Sequence, residues 1–142
     1  MKKILLSALL ALFTVNTAIA AHPQCGETEL AQVMGDMKDN MKAIKKAVKS
    51  DDSESLDTTV TKLLNNIQKS EKLVPLTITD KKELTAEQKS ELADYKKGKQ
   101  ALHEAATELS QATTAEQRKA ALGKIGKAAK KGHKAFKMDC DE

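Results

Sequence analysis

The chain has 142 residues, with 24 basic and 20 acidic side chains, a formal net charge of +4 and an aromatic content of 2%. This length suits one domain with one hydrophobic core. The near balance of charge and the scarcity of aromatic rings argue against a nucleic-acid-binding surface, because such surfaces combine basic grooves with stacking aromatics.

The start of the chain has the pattern of a secretory signal peptide. The opening MKK is followed by an apolar run, Ile4 to Val15, and by a small-x-small cleavage motif that ends at Ala20. The apolar run is too short to span a bilayer comfortably. We therefore expect a cleaved signal peptide (1–20) and a single mature domain (21–142) in the periplasm, without a membrane span. The alternative is an uncleaved anchor.

Two amphipathic helices are predicted in the first half of the mature chain. The first extends from Glu27 to Lys49, and its apolar residues recur at the i, i+3, i+4 and i+7 positions that form one stripe on a helix. These residues are Leu30, Val33, Met34, Met37, Met41, Ile44 and Val48. The second helix begins at an N-cap, Asp52 or Ser53, and ends before Pro75, because proline forces the preceding residue out of the helical region.

Two capping boxes predict the starts of two further helices. Thr85 and Thr114 are each followed three residues later by a glutamine, which can return a hydrogen bond to the capping residue. The longest connection, 74–84, precedes the first of these boxes. Four amphipathic helices with short links predict an all-α fold, an antiparallel up-down-up-down four-helix bundle.

The two cysteines, Cys25 and Cys140, lie near the two ends of the mature chain. In an up-down-up-down bundle the first and fourth helices run side by side in opposite directions, so the start of the first meets the end of the fourth. Disulfides persist in exported proteins. We therefore predict a Cys25–Cys140 disulfide, which closes a loop long enough to contribute roughly 4–5 kcal/mol in the chain-entropy model.

The sequence lacks the residue patterns of common catalytic sites. It contains no Ser/His/Asp spacing, glycine-rich phosphate loop, HExxH sequence or Glu-x-x-His pair, and it has 3 histidines in all. We therefore expect a protein that is not an enzyme.

One methionine and one histidine are predicted to meet at the end of the bundle that holds the cysteines. Met34 lies on the apolar stripe of the first helix, and His133, from its spacing to Ala129 and Phe136, is expected to face inward from the fourth. Methionine with histidine is a known axial pair for haem iron. Either residue could instead be structural, the methionine as core filler and the histidine as a favourable charge at a helix C-terminus.

Three segments resemble the periplasmic cytochrome b-562 family. MKDNMKAIKKA (37–47) is similar to its first helix, YKKGKQAL (95–102) to the start of its third helix, and KKGHKAFK (130–137) to its closing helix. The resemblance extends from Glu27 to Lys137 and includes the order and spacing of the elements. It implies a four-helix bundle in which Met34 and His133 are axial haem ligands and Tyr95 lies beside the haem.

The haem is expected to be a single b-type group held without a covalent bond, because the fourth helix lacks the C-x-x-C-H sequence of covalent attachment. Six residues would form its apolar wall: Leu30, Met37, Tyr95, Leu102, Ile125 and Phe136. With Met34 and His133 filling both axial positions, the expected function is electron transfer. We expect a monomer whose partners are redox proteins, attracted by Lys130, Lys131 and Lys134.

Two positions depart from the family pattern. Lys99 stands where a second aromatic residue is common, and Ala129 stands where an arginine near a haem propionate is common. Lys99, Lys130 or Lys131 could supply that cation. These departures motivate an alternative function, a haem-free periplasmic bundle with a binding or stress-related role. A further alternative is a copper-handling bundle that uses methionines and His133, although methionines spread along one core stripe form a poor chelate.

Overall fold

Four α-helices make up the computed structural model, which describes residues 22–140. They are α1 (Glu29–Ser50), α2 (Ser53–Glu71), α3 (Ala86–Ser110) and α4 (Ala115–Phe136). The predicted signal peptide, 1–20, lies outside the described residues. None of the described helices is long and apolar enough to cross a membrane.

The predicted helix starts are confirmed by their caps. The carboxylate of Asp52 accepts a hydrogen bond at the start of α2, and complete capping boxes open α3 at Thr85 and α4 at Thr114. The first helix starts slightly later than predicted, at Glu29, because the hydroxyl of Thr28 is its N-cap. Since each cap satisfies backbone N–H groups that no helical carbonyl can reach, these residues determine where the helices begin.

The link between α1 and α2 consists of Asp51 and Asp52 alone. Asp51 has a φ of 51°, the left-handed conformation that ends α1, and aspartate tolerates this conformation better than most residues. The Asp51 carboxylate also binds Nη1 of Arg118, in the first turn of α4, at 2.8 Å. The chain therefore reverses direction within a very short link, which is tied to α4.

The helices pack in chain order around one apolar core. α1 packs against α2, α2 against α3, and α3 against α4, which confirms the predicted all-α four-helix bundle. All four helices contribute fully buried side chains to the core: Val33, Ile44, Val60, Leu63, Ile67, Leu109 and Ile125. Within residues 22–140, α1 and α4 have no comparably extensive backbone contact. One side of the bundle is therefore less tightly closed than the other three.

The predicted disulfide is present between Cys25 and Cys140, whose Cα atoms lie 5.6 Å apart. The start of α1 therefore lies beside the end of α4. The connection between α2 and α3 lies at the same end, because the hydroxyl of Thr77 donates a hydrogen bond of 3.2 Å to the carbonyl of Phe136. Ile78 of this connection is buried. We call this end of the molecule the disulfide end.

Candidate functional site

Met34 lies on the flank of α1 that is turned away from α2. Asp36 and Asp39 line an outer groove between α1 and α2, with Lys62 on the opposite wall. At 3.6 residues per turn, Met34 falls on the other side of α1. It is half-buried and packs against the apolar core, as does the half-buried Met41 on the same flank. This flank of α1 is therefore apolar but only partly covered.

His133 lies on the flank of α4 that is turned away from α3. Lys124 and Lys131 line an outer groove between α3 and α4, and His133 follows Lys124 by about two and a half helical turns, which places it on the opposite flank. The prediction that His133 faces inward is wrong, because the residue is exposed. At this level of α4, the residues that face the bundle interior are Gly132 and Phe136, which are half-buried.

These two flanks border the gap between α1 and α4, which we call the α1–α4 seam. The helices are antiparallel and are joined at the disulfide end by the Cys25–Cys140 bond. From the helical rise, Met34 lies about 8 Å from the start of α1 and His133 about 5 Å from the end of α4. The seam therefore has a thioether on one side and an imidazole on the other at a similar level of the bundle.

Lys99 is the only charged residue buried within the described part of the chain, with 7% of its surface exposed. Its Nζ lies 3.8 Å from Sδ of Met34 and 5.2 Å from the centre of the Tyr95 ring. These contacts are a weak hydrogen bond to sulfur and a cation–π interaction. Among residues 22–140, no carboxylate forms an ion pair with Lys99.

The buried surroundings shift the pKa values of two side chains on α3. Desolvation lowers the pKa of Lys99 to about 8, although the negative charge of Glu71 acts in the opposite direction. Desolvation also raises the pKa of Tyr95 to about 12, partly offset by the hydrogen bond from its hydroxyl to the carbonyl of Ser70. The neutral amine of Lys99 is therefore accessible at mildly alkaline pH, whereas the Tyr95 phenol stays protonated.

Two aromatic rings close the interior beside Lys99. Tyr95 and Phe136 pack edge to face, with ring centres 5.4 Å apart and planes at 83°. The other residues predicted to form the apolar wall are Met37, Leu102 and Ile125, which are buried in the core, and Leu30, which is half-buried. The structure thus brings Met34, Lys99, Tyr95 and Phe136 together, and leaves His133 on the outer edge of the same region.

Lys99 was expected from the sequence as a departure from the family pattern and as a candidate cation near a haem propionate, but its burial was not predicted. The signal was present in the spacing, because Lys99 shares one helical stripe with the buried residues Tyr95, Leu102 and Ala106. The role of Ser70 as the acceptor for the Tyr95 hydroxyl was also missed, since no local pattern predicts a backbone partner on another helix.

The cluster around Met34 and Lys99 lies in a part of the chain that matches a known protein family. A family model described as cytochrome b562 matches residues 29–137. The chain belongs to the cytochrome b562 family. Membership confirms the resemblance found in the sequence and indicates a helical bundle that binds a b-type haem and transfers electrons. No curated protein and no solved structure matches the chain significantly.

The residues at the seam of this cytochrome b562 family member fit a haem. Met34 and His133 supply a thioether and an imidazole from two helices that are not held together by extensive backbone contact. Residues 22–140 contain no group of three or more His, Cys, Asp or Glu side chains that could hold a metal ion by themselves.

Proposed function

We propose that the protein is a periplasmic electron carrier that binds one haem b without a covalent bond. The observation that carries this proposal is the position of Met34 and His133 on the two flanks of the α1–α4 seam, in a chain of the cytochrome b562 family. Their thioether sulfur and imidazole nitrogen would be the axial ligands. When bound, the haem supplies an iron centre that gains and loses one electron.

The side chains around the seam have separate roles in this proposal. His133 is exposed, so its imidazole can rotate into the seam without breaking a packed core. Met34 is already packed against the core and needs little movement. The predicted wall residues exclude water from the haem faces: Leu30, Met37, Tyr95, Leu102, Ile125 and Phe136. A haem with one thioether ligand has a higher reduction potential than a haem with two imidazole ligands, so Met34 would favour the ferrous form.

We propose electron transfer without substrate chemistry. With Met34 and His133 both bound to it, the haem iron would have no open coordination position, so no substrate or oxygen molecule would bind to it. The redox partner would approach the exposed edge of the seam. Lys130 and Lys134 are exposed on α4 within one turn of His133 and would attract an acidic partner protein. Lys131, which was expected to act with them, lies on the opposite flank, in the groove between α3 and α4.

The location and domain organisation are part of the same proposal. Residues 1–20 would be a cleaved signal peptide, and 21–142 a single domain that acts as a monomer. The Cys25–Cys140 disulfide supports an oxidising compartment, because such bonds are rare where thiol reductants are abundant.

An absorption spectrum of the protein purified with haem supplied tests this function. We expect a sharp Soret band and split low-spin bands on reduction with dithionite. Met34→Ala and His133→Ala should each lose the six-coordinate spectrum of the reduced protein. Met41→Ala and His103→Ala are matched controls, because each replaces the same residue type at a half-buried position further from the disulfide end, and both should keep it.

The alternative is a haem-free helical bundle that acts as a binding or stress-related protein. The specific observation that favours it is the side chain of Lys99, which fills interior space beside Met34. A spectrum that stays featureless through a haem titration would support this alternative. Retention of the six-coordinate spectrum of the reduced protein in both Met34→Ala and His133→Ala would instead contradict the proposed ligands.

A further inference from the structure

We propose that Lys99 is a second ligand for the coordination position assigned to Met34, so that the amine binds the ferric iron and the thioether binds the ferrous iron. This inference rests on the proposed haem function and extends it to an exchange of ligands with the redox state. It is carried by the contact of 3.8 Å between Nζ of Lys99 and Sδ of Met34.

The contact shows that both donors reach the same point in the bundle. Met34 extends from α1 and Lys99 from α3, and the Sδ atom of Met34 meets the Nζ atom of Lys99 in the interior beside the Tyr95 ring. A group that occupies the α1–α4 seam with its iron near Sδ of Met34 would therefore have the Lys99 nitrogen within a short side-chain movement. The long, unbranched lysine chain permits that movement without a shift of α3.

No carboxylate among residues 22–140 forms an ion pair that would hold the Lys99 nitrogen elsewhere, although the charge of Glu71 acts on it. Lys99 is 7% exposed. The sulfur of Met34 and the face of Tyr95 are weak partners for a buried amine. A bond from the nitrogen lone pair to iron would satisfy this polar atom better than either contact.

The chemistry of the two donors gives the direction of the exchange. A thioether is a soft, neutral ligand and prefers the electron-rich ferrous iron, whereas an amine is a harder donor and prefers the ferric iron. On oxidation, with one electron passing to the redox partner, the Lys99 ammonium would release one proton to solvent, and its lone pair would bind the iron as the Met34 sulfur dissociates. On reduction by one electron from a redox partner, the Met34 sulfur would bind the iron again, and Lys99 would dissociate and take up one proton from solvent.

The closing experiment compares the axial ligands of the ferric and ferrous forms of the haem-loaded protein. Near-infrared magnetic circular dichroism and electron paramagnetic resonance of the ferric form distinguish two nitrogen ligands from one nitrogen and one sulfur. We expect the wild-type ferric form to have two nitrogen ligands, and Lys99→Leu to lose that signature and acquire the nitrogen–sulfur one. The ferrous absorption spectrum of Lys99→Leu should match the wild type.

Two further variants make the experiment specific. Lys96→Leu is the matched control, since Lys96 is an exposed lysine on the same helix, and it should behave as the wild type. Met34→Leu should keep the nitrogen–nitrogen ferric signature and change only the ferrous spectrum. The wild-type ferric spectrum is itself a decisive measurement and does not depend on the folding of any variant.

A nitrogen–sulfur signature in the wild-type ferric form, unchanged in Lys99→Leu, would overturn the ligand exchange while leaving the proposed haem function intact. No uptake of haem by the wild type would overturn both. An upward shift of the reduction potential in Lys99→Leu, absent from Lys96→Leu, would support the exchange, because loss of the amine removes the ligand that favours ferric iron.

Discussion

The hydroxyl of Tyr95 donates a hydrogen bond of 2.9 Å to the backbone carbonyl of Ser70. Both residues are buried, and the bond joins α3 to the last turn of α2 at the disulfide end. Tyr95 also packs edge to face on Phe136 of α4. One side chain therefore links three helices around the candidate haem site.

Tyr95→Phe should lower the free energy of unfolding by about 1 kcal/mol, the usual net contribution of one hydrogen bond. The ring contact with Phe136 is retained in this variant, so the loss reports the hydroxyl alone. Chemical denaturation of the haem-free protein measures the change. Thr77→Ala is a suitable control, because it removes an exposed hydrogen bond and should have a smaller effect. Equal stability of Tyr95→Phe and wild type would mean that the hydroxyl is solvated instead.

Lys99→Met should stabilise the haem-free protein near pH 7. The wild type holds an ammonium in the interior without a carboxylate partner, and methionine fills similar space without a charge. The shift of the Lys99 pKa to about 8 corresponds to at most about 3 kcal/mol. Denaturant midpoints of Lys99→Met and of the exposed control Lys96→Met test this. A less stable Lys99→Met would show that the amine is favourably placed.

The stability of the haem-free protein should rise with pH between about pH 8 and about pH 10. The pKa of Lys99 is about 8 in the folded chain and 10.5 ordinarily. In that interval the unfolded chain binds more protons than the folded chain, so the free energy of unfolding increases, and below it the full cost of the charge is present. Lys99→Met should lose this rise. A wild-type profile parallel to that of Lys99→Met would contradict the burial of the amine.

Tyr95 has the opposite effect at higher pH. Its folded pKa of about 12 lies above the ordinary value of 10.0, so the unfolded chain loses the proton first and stability falls above about pH 10. Comparing Tyr95→Phe with Lys99→Met over the same pH series separates the two groups. A fall of equal steepness in Tyr95→Phe would assign the loss to other residues.

Removal of the disulfide should destabilise the protein. The bond closes a loop with a sequence separation of 115, for which loop closure alone corresponds to roughly 4–5 kcal/mol, although measured values are often lower. The double variant Cys25→Ser with Cys140→Ser should unfold at lower denaturant than the oxidised wild type and match the reduced wild type. It should also bind haem more weakly, since the end of the α1–α4 seam is no longer held. Identical midpoints for oxidised and reduced protein would contradict this.

The fold could be predicted from the sequence because its determinants are local. Each helix start depends on a capping residue and its glutamine or backbone partner within one turn, as at Thr85 and Thr114. The apolar stripes then require four helices of similar length to pack around one core, and short links favour antiparallel neighbours. The disulfide followed from the topology, because only adjacent ends of α1 and α4 can be bridged.

The site was harder to predict, because it depends on side-chain direction and on contacts between helices. His133 was expected to face inward, yet a phase difference of one residue places Gly132 inside and His133 on the outer edge. The burial of Lys99 was missed because lysine is almost always exposed. Its stripe position was informative, but its contact with Met34 joins α3 to α1 and cannot be inferred from either helix alone.

The bond between Cys25 and Cys140 makes a covalent ring of the whole bundle, since all four helices lie between these residues. A single tryptic cut after Lys81 or Lys82, which are exposed in the connection between α2 and α3, would open that ring without releasing a fragment. The hairpins α1–α2 and α3–α4 would remain joined by the sulfur bridge, which links the two ends that carry Met34 and His133. The disulfide would therefore keep Met34 and His133, the two proposed haem ligands, in one covalent molecule. The same backbone cleavage would separate the two hairpins of a bundle without the disulfide.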